Sequence, residues 1–192
     1  MITTLIVNYN NKQFLQQCID NTVKHGHPII LVDDGSTDGS QDICKLYNSK
    51  NNIRVILNKN SIGYHNVKNV ALQICQTPLL CTFETQAIAY DNLWSEVIKE
   101  FGDYREISCV YSDFDFIDIK THNIQRVFQP SYNIHAISQG MSIPHIATYK
   151  TDYIKSIGGF KENDIQTSLE LLNISIFSHI PESLYLQRGT SE

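Results

Sequence analysis

The feature that most constrains this chain is the alternation of short apolar runs with segments of helical periodicity. Residues 2–7, 29–32, 53–57 and 79–83 are β-rich apolar runs. Each is followed by apolar residues at three- and four-residue steps. These are Leu15, Cys18, Ile19, Thr22 and Val23, then Ile43, Leu46 and Tyr47. Val67, Val70, Ala71 and Ile74 come next, then Leu93, Trp94, Val97, Ile98 and Phe101. Runs without polar alternation suit strands covered on both faces. Four strand–helix units in a row predict an α/β fold with a mostly parallel central sheet and helices on both faces. Such sheets bind ligands at the carboxyl ends of their strands. Functional candidates should therefore lie at residues 8–10, 33–38, 58–68 and 84–87. Asn10 and Asn11 are positioned to cap the first helix, and the second should start near Thr37 or Asp38.

The second half reads differently. Residues 110–119 and 123–128 predict paired strands across a turn at 120–122, and 146–149 a further strand. Gly158-Gly159-Phe160 breaks the chain before a helix around residues 165–177. With 192 residues, a single domain is expected, the second half decorating the first.

Composition narrows the function classes. A net charge of −5 argues against a nonspecific nucleic-acid binder. The chain opens directly into a strand-like run and contains no long apolar span, which predicts a cytoplasmic protein, soluble or in peripheral membrane contact. Its cysteines (Cys18, Cys44, Cys75, Cys81 and Cys109) are odd in number, lack C-x-x-C spacing and sit among apolar residues, as buried reduced thiols do. No histidine spacing suggests a metal site, and His25 and His27 fall at a helix-to-strand turn.

Val32-Asp33-Asp34-Gly35-Ser36-Thr37-Asp38-Gly39 carries the most chemistry. Two carboxylates ending a buried strand can accept hydrogen bonds from a base or ribose, and the following residues can turn and cap a helix. A plain turn with a cap would look the same locally. Context separates the two. Leu5-Ile6-Val7-Asn8-Tyr9-Asn10 followed by this stretch resembles the opening of family-2 glycosyltransferases, a strand ending in Y-N and then V-D-D-G-S-T-D-G. Ile62-Gly63-Tyr64-His65-Asn66-Val67-Lys68-Asn69 is similar to the family's N-x-G-x-x-x-A-R-N segment. Val110-Tyr111-Ser112-Asp113-Phe114-Asp115-Phe116-Ile117-Asp118 resembles its V-Y-S-D-x-D-x-I-D strand. Ile157-Gly158-Gly159-Phe160 resembles its I-G-G-F, and Leu184-Tyr185-Leu186-Gln187-Arg188 its L-Y-x-Y-R.

The resemblance implies a GT-A fold, with residues 1–105 as a nucleotide-binding half and 106–192 as an acceptor-side half. It implies that Val7, Asn8 and Tyr9 contact the nucleoside, that Asp34 accepts from a uracil ring, and that Asp33 orients the loop. Lys68 takes the place of an arginine that reaches toward base or phosphates. It keeps the charge but loses the planar fork. Gly63 would let backbone approach closely.

Two motifs depart from the family. Where the family has D-x-D, which binds Mn²⁺ or Mg²⁺ on the diphosphate, this chain has Glu84-Thr85-Gln86. Hard cations want charged oxygen ligands, so Glu84 and Gln86 predict a weakened metal site. After Gly158-Gly159-Phe160 the family carries an E-D pair that supplies the general base. Here Asp164 and Glu170 are the carboxylates left for the role, and the alignment does not choose between them. Asp164 could equally be a helix cap.

The expected function is sugar transfer from a nucleotide donor, expected in UDP-linked form, to a glycan or other hydroxyl acceptor, with inversion by resemblance to the family. The second expectation is a glycosyltransferase-like domain that binds nucleotide or glycan with weak or no turnover. A nucleotidyltransferase ranks last, because Asn8-Tyr9-Asn10-Asn11-Lys12 lacks a glycine-rich phosphate loop.

Overall fold

Every residue of the run Ile29–Asp33 is buried, as a strand covered on both faces requires. In the structure, a computed structural model describing residues 1–48, 50, 52–104, 106–141 and 143–189, this run is β2. The first half contains β1 (Ile2–Asn8), α1 (Lys12–Val23), β2 (Ile29–Asp33), α2 (Ser40–Tyr47), β3 (Ile53–Leu57), α3 (Tyr64–Ile74) and β4 (Leu79–Glu84). The rest comprises β5 (Ala87–Ala89), α4 (Leu93–Asp103), β6 (Ile107–Asp118), β7 (Ile124–Val127), α5 (Ile134–Ser138), β8 (Ala147–Lys150), α6 (Thr151–Ser156), α7 (Asp164–Leu172) and β9 (Ile176–Gly189).

One sheet runs through both halves in the order β3-β2-β1-β4-β8-β6-β9-β5, with β7 on β6. The β3-β2-β1-β4 segment is parallel. β8 pairs antiparallel with β4 and β6, and β9 runs parallel to β6. The chain builds outward from β1 to β2 and β3, then crosses back to place β4 on the other side of β1. That reversal opens a crevice at the carboxyl ends of β1 and β4, where ligands of such sheets bind.

Alternation along the strands fills a core on each face. Ile2, Ile6, Ile29, Leu31, Leu79, Cys81 and Phe83 pack with the buried faces of α1, α2 and α4. Leu5, Ile30, Val32 and Leu80 point the other way, onto α3, α6 and α7. Each fully buried aliphatic side chain contributes about 1.5–3 kcal/mol. All five cysteines are buried and free. Among the described residues, no helix is long and apolar enough to cross a membrane.

Several local expectations need correction. Asn11 is the N-cap residue of α1 but makes no side-chain cap bond. The Lys12 N–H is instead satisfied by Asp38 Oδ2 at 2.9 Å, from the neighbouring loop. The Asn10 side chain accepts from Thr37 N rather than capping α1. Helix α2 starts at Ser40 and buries Cys44 and Tyr47, leaving Leu46 exposed. The buried face of α3 is Val67, Lys68, Ala71 and Leu72, rotated from the expected stripe, so that Val70 and Ile74 are only half-buried. Helix α7 ends at Leu172, and Phe177 lies in β9. Asp164 is not the α7 cap, since the Asn163 side chain accepts from Gln166 N at 2.7 Å.

Strand β9 was not expected, because Pro181 interrupts its apolar pattern. Ser112 pairs with Ile180 and Asp113 with Ser183, so Pro181 and Glu182 bulge out of the ladder. A bulge is where a strand tolerates a residue with no N–H.

Candidate functional site

The parallel register sets Asn8 beside Asp33 and Val7 beside Glu84 at the carboxyl edge. Asn8 and Asp33 are fully buried. Asn8 Nδ2 donates to Asp33 Oδ2 at 2.7 Å and to Ser36 Oγ at 3.1 Å. Asp33 Oδ1 accepts from Ser36 N at 2.9 Å and Gln41 Nε2 at 3.0 Å. Asp33 therefore joins the end of β1, the following turn and α2. Tyr9 is exposed beside this node, and Val7 is half-buried on the strand before it.

Asp34 faces the loop after β3. Its Oδ1 accepts from Asn58 Nδ2 at 2.8 Å and Ile62 N at 2.9 Å, and its Oδ2 from Ser61 Oγ at 2.7 Å and Gly63 N at 3.0 Å. Burial pushes the Asp34 carboxyl up, but these four donors more than offset it and hold it below its ordinary value. A Cβ on Gly35 would lie 2.6 Å from the backbone of Asn60 and Ser61, so the two loops can close only over glycine. Gly63 has open space around its Cβ position; its glycine is needed for φ +87°, not for close approach.

Lys68 is only 2% exposed. Its ammonium lies 4.7 Å from the Tyr64 ring centroid and 4.8 Å from that of Phe160. It donates to Asp164 Oδ1 at 2.5 Å. Burial pulls the Lys68 pKa down and the Asp164 charge opposes that pull. The geometry thus differs from the expected phosphate contact: the rotated face of α3 turns this lysine into the protein, onto a carboxylate 96 positions away. His65 Nδ1 lies 3.9 Å from the same Asp164 oxygen and, among the described residues, is buried without a hydrogen-bond partner. Burial, and then the Lys68 charge, lower the His65 pKa. Tyr64 sits between His65 and His145, each ring centroid 6.1 Å away. Burial, reinforced by Glu84 and Asp164, pushes its phenol well above the usual range.

Glu84 ends β4 with its side chain partly exposed. Its Oε2 accepts from Gln187 Nε2 at 3.1 Å, and its Oε1 lies 3.6 Å from His145 Nδ1. The Gln86 carbonyl accepts from the Arg188 N–H at 3.1 Å and its Nε at 2.8 Å, and Arg188 Nη2 donates to the Thr85 carbonyl at 3.0 Å. Arg188 also stacks over Phe14, 4.6 Å from its centroid. A cleft of about 240 Å³ opens beside Glu84, floored by Phe114, Ile146 and Tyr185. A larger hollow of about 490 Å³ lies at the amino ends of the strands, around Thr3, Pro28 and Thr77, with no carboxylate in its lining. Sheet logic and the chemistry of the side chains both favour the carboxyl end for the candidate site.

The donor set around Glu84 does not fit a divalent cation held by protein alone. It supplies one carboxylate, one imidazole and an amide already directed at that carboxylate. Among the described residues no group of three His, Cys, Asp or Glu is placed to hold a metal. Glu170 stands apart from this cluster, paired with Lys161 at 3.0 Å and accepting from Gln166. The structure therefore joins Asn8 to Asp33, Asp34 to the 58–63 loop, and Lys68 to Asp164. His145, Tyr64, Gln187 and Arg188 complete the edge and were not singled out as site residues; Arg188 and Gln187 lay inside a recognised motif, whereas His145 carried no spacing signal.

Residues 3–160 match the profile described as "Glycosyl transferase family 2". The chain belongs to that family. It is 29% identical over 97 residues to the glycosyltransferase GlyG of Streptococcus pneumoniae, covering 48% of this chain and 32% of GlyG. It is 20% identical over 195 residues to the chondroitin synthase of Pasteurella multocida, covering 96% of this chain and 20% of that protein. It thus spans about a third of one relative and a fifth of the other. Among solved structures, S. aureus TarS 1–349 in complex with UDP-GlcNAc superposes with a TM-score of 0.80 at 14% identity, covering all of this chain and 59% of that one. The mannosyltransferase PcManGT from Pyrobaculum calidifontis, in complex with GDP-Man and Mn²⁺, gives 0.74 at 14% identity, covering 100% and 57%. The fold is GT-A.

Proposed function

We propose that this domain binds a nucleotide-sugar at the carboxyl ends of β1, β2 and β4 and transfers the sugar to a hydroxyl acceptor. The observation that carries the reading is the alignment of Asn8, Asp33 and Glu84 along one sheet edge, at the crevice where the strand order reverses. The UDP-GlcNAc and GDP-Man complexes of TarS and PcManGT support a nucleotide-sugar as donor. We assign the nucleoside to Val7, Asn8, Tyr9 and Asp34, with Asp33 orienting the loop, and a uracil base to the donor. Asp34 meets that base by releasing one of its four loop donors; the Ser61 hydroxyl can rotate to water at least cost.

Transfer proceeds with inversion. The acceptor oxygen attacks the anomeric carbon, the bond from that carbon to the diphosphate oxygen breaks with its electron pair, and the acceptor proton passes to Asp164. Asp164 is preferred over Glu170 because it shares the cluster of Tyr64, His65 and Lys68, whereas Glu170 is paired with Lys161. A metal at Glu84 would lean on substrate phosphates and water. The acceptor is a glycan or other hydroxyl compound, met in the cytoplasm in solution or at a membrane surface.

A second reading, donor binding with little turnover, is favoured by the Lys68 contact. An ammonium on Asp164 opposes the arrival of a proton there. Two measurements separate the readings. Calorimetric titration with UDP and GDP should show UDP binding that weakens in Asp34→Ala. Release of UDP from a panel of UDP-sugars should then report turnover. Absence of binding at millimolar UDP would sink both readings; binding without release selects the second.

A further inference from the structure

Lys68 and Asn69 are consecutive on α3, and both reach the same short segment, residues 160–164, on the far side of the sequence. Asn69 Nδ2 donates to the Phe160 carbonyl at 2.8 Å, and Asn69 Oδ1 accepts from the Phe160 N–H at 2.8 Å. One side-chain amide thus satisfies both backbone groups of Phe160, as a strand partner would. A Cβ on Gly159 would lie 2.6 Å from Asn69 Oδ1, so the clasp closes only because residue 159 has no side chain. Four residues on, Lys68 Nζ holds Asp164 Oδ1, with the Phe160 ring as one wall of its pocket and Tyr64 as the other. The first contact fixes where the segment starts, and the second fixes the rotamer of its carboxylate.

We propose that Lys68 and Asn69 are positioning residues that present Asp164 to the acceptor hydroxyl, rather than residues that read the donor. This rests on the reading of Asp164 as the base. Three observations argue for it. A solvated phosphate-binding lysine is exposed until its ligand arrives, whereas Lys68 is 2% exposed and already paired. The two ring faces favour the charged ammonium in place, which a buried lysine otherwise loses. The Lys68 ammonium and, at 3.9 Å, the His65 ring both approach Asp164 Oδ1, which leaves Oδ2 for an incoming hydroxyl. Swinging Asp164 away would strand a buried ammonium, so the rotamer is held by the cost of leaving that charge unpaired.

The test is steady-state kinetics with UDP-sugars, read beside UDP affinity from calorimetry, on Lys68→Met, Lys68→Arg, Asn69→Ala and Asp164→Asn. Positioning through Asp164 predicts that Lys68→Met lowers kcat by about 10–100-fold while donor KM and UDP Kd move less than about threefold. Lys68→Arg, which keeps a charge for Asp164, should recover most of that loss. Asn69→Ala contacts neither donor nor Asp164 directly and should show the same split, smaller; it serves if Lys68→Met does not fold. A tenfold or larger loss of UDP affinity in Lys68→Met or Asn69→Ala would overturn the proposal and return Lys68 to the phosphates, and this reading needs no turnover. Failure of Lys68→Arg to exceed Lys68→Met would also overturn it. Wild-type kcat in Asp164→Asn would instead sink the assignment of the base, a distinguishable result.

Discussion

The two ends of the candidate crevice are built on different principles. On the nucleotide side, Asp33 and Asp34 accept seven hydrogen bonds between them from β1, the turn after β2, α2 and the 58–63 loop. The other end, the acceptor side, where the proposed function brings acceptor and diphosphate together, is sparser: Glu84 meets one amide and a histidine, and Asp164 one lysine and a histidine. The first side is a closed network satisfied by the protein's own donors. The second is a small set of charges around aromatic rings, with the His65 Nδ1 left unpartnered among the described residues. Preorganisation of the first kind supports binding, since little order remains to be imposed by the ligand. Charge arrangement of the second kind decides whether bound donor reacts. Glu84-Thr85-Gln86 and the Asp164–Glu170 segment, where the sequence predicts departures from the family pattern, both lie on that second side.

The sharpest way to break the comparison is Asp164→Asn. If the acceptor side carries the chemistry, kcat should fall by about 10²–10⁴-fold, the usual worth of a general base. UDP affinity should stay within about threefold of wild type, because Asp164 shares no hydrogen-bond partner with Asp33 or Asp34 among the described residues. Joint loss of turnover and UDP binding would mean the two sides are one network.

Asp33→Ala attacks the other side. It leaves Asn8 Nδ2 and the Ser36 N–H without their carboxylate in a buried setting. Denaturant unfolding should show a loss of about 2–4 kcal/mol, from removing a charged acceptor of several bonds. A loss below about 0.5 kcal/mol would show that water replaces the carboxylate and the network is not rigid.

Asp34 gives the same side a pH signature. Its folded pKa is depressed below the ordinary 3.8, so the unfolded chain takes up the proton first as acid is added. The stabilisation is therefore complete at neutral pH, erodes as pH falls below the ordinary carboxylate value, and is gone once pH passes below the folded pKa. Asp34→Asn should lower neutral-pH stability by about 1.5–3 kcal/mol and flatten the acid limb of the stability curve below pH about 4. Parallel curves for the two proteins would show that the four donors do not hold the ionised form.

How much of this was legible in the chain follows from the range of each interaction. Strands β1 to β4 and their helices announced themselves because a run such as Ile29–Asp33 is apolar along its whole length, and local pattern suffices. The Asp33-Asp34 pair was legible for the same reason, lying at a strand end within a recognised motif. Lys68 was not. A lysine reads as solvent-facing, and the stripe Val67, Val70, Ala71, Ile74 is as good a helical face as the one observed. The observed face sets Lys68 against Phe160 and Asp164, and nothing near Lys68 signals partners so distant in sequence. Pro181 hid β9 because the bulge that tolerates it depends on the register with β6. His145 reached Glu84 only through the antiparallel pairing of β8 with β4. Contacts set by topology, not by periodicity, make up the acceptor side.

The smallest effect concerns the altered metal position, and it sharpens the comparison by trying to repair the weaker side. Glu84→Asp together with Gln86→Asp places two carboxylates where the chain now has one. Hard divalent cations gain from charged oxygen donors, so Mn²⁺ affinity in the presence of UDP should tighten about tenfold, or about 1.4 kcal/mol. The gain is modest for a reason visible in the site. Glu84 is now held by Gln187 and lies beside His145, and an aspartate, one methylene shorter, withdraws from both. Arg188 should still fix the turn, because its contacts there are to the Thr85 and Gln86 carbonyls and not to side chains. UDP release from UDP-sugars should rise in the double variant with Mn²⁺ and fall back with EDTA, while the wild type responds weakly to either. Brisk wild-type turnover abolished by EDTA would reverse the argument: Glu84, with phosphates and water, would then suffice for the cation, and the acceptor side would be as well equipped as the nucleotide side.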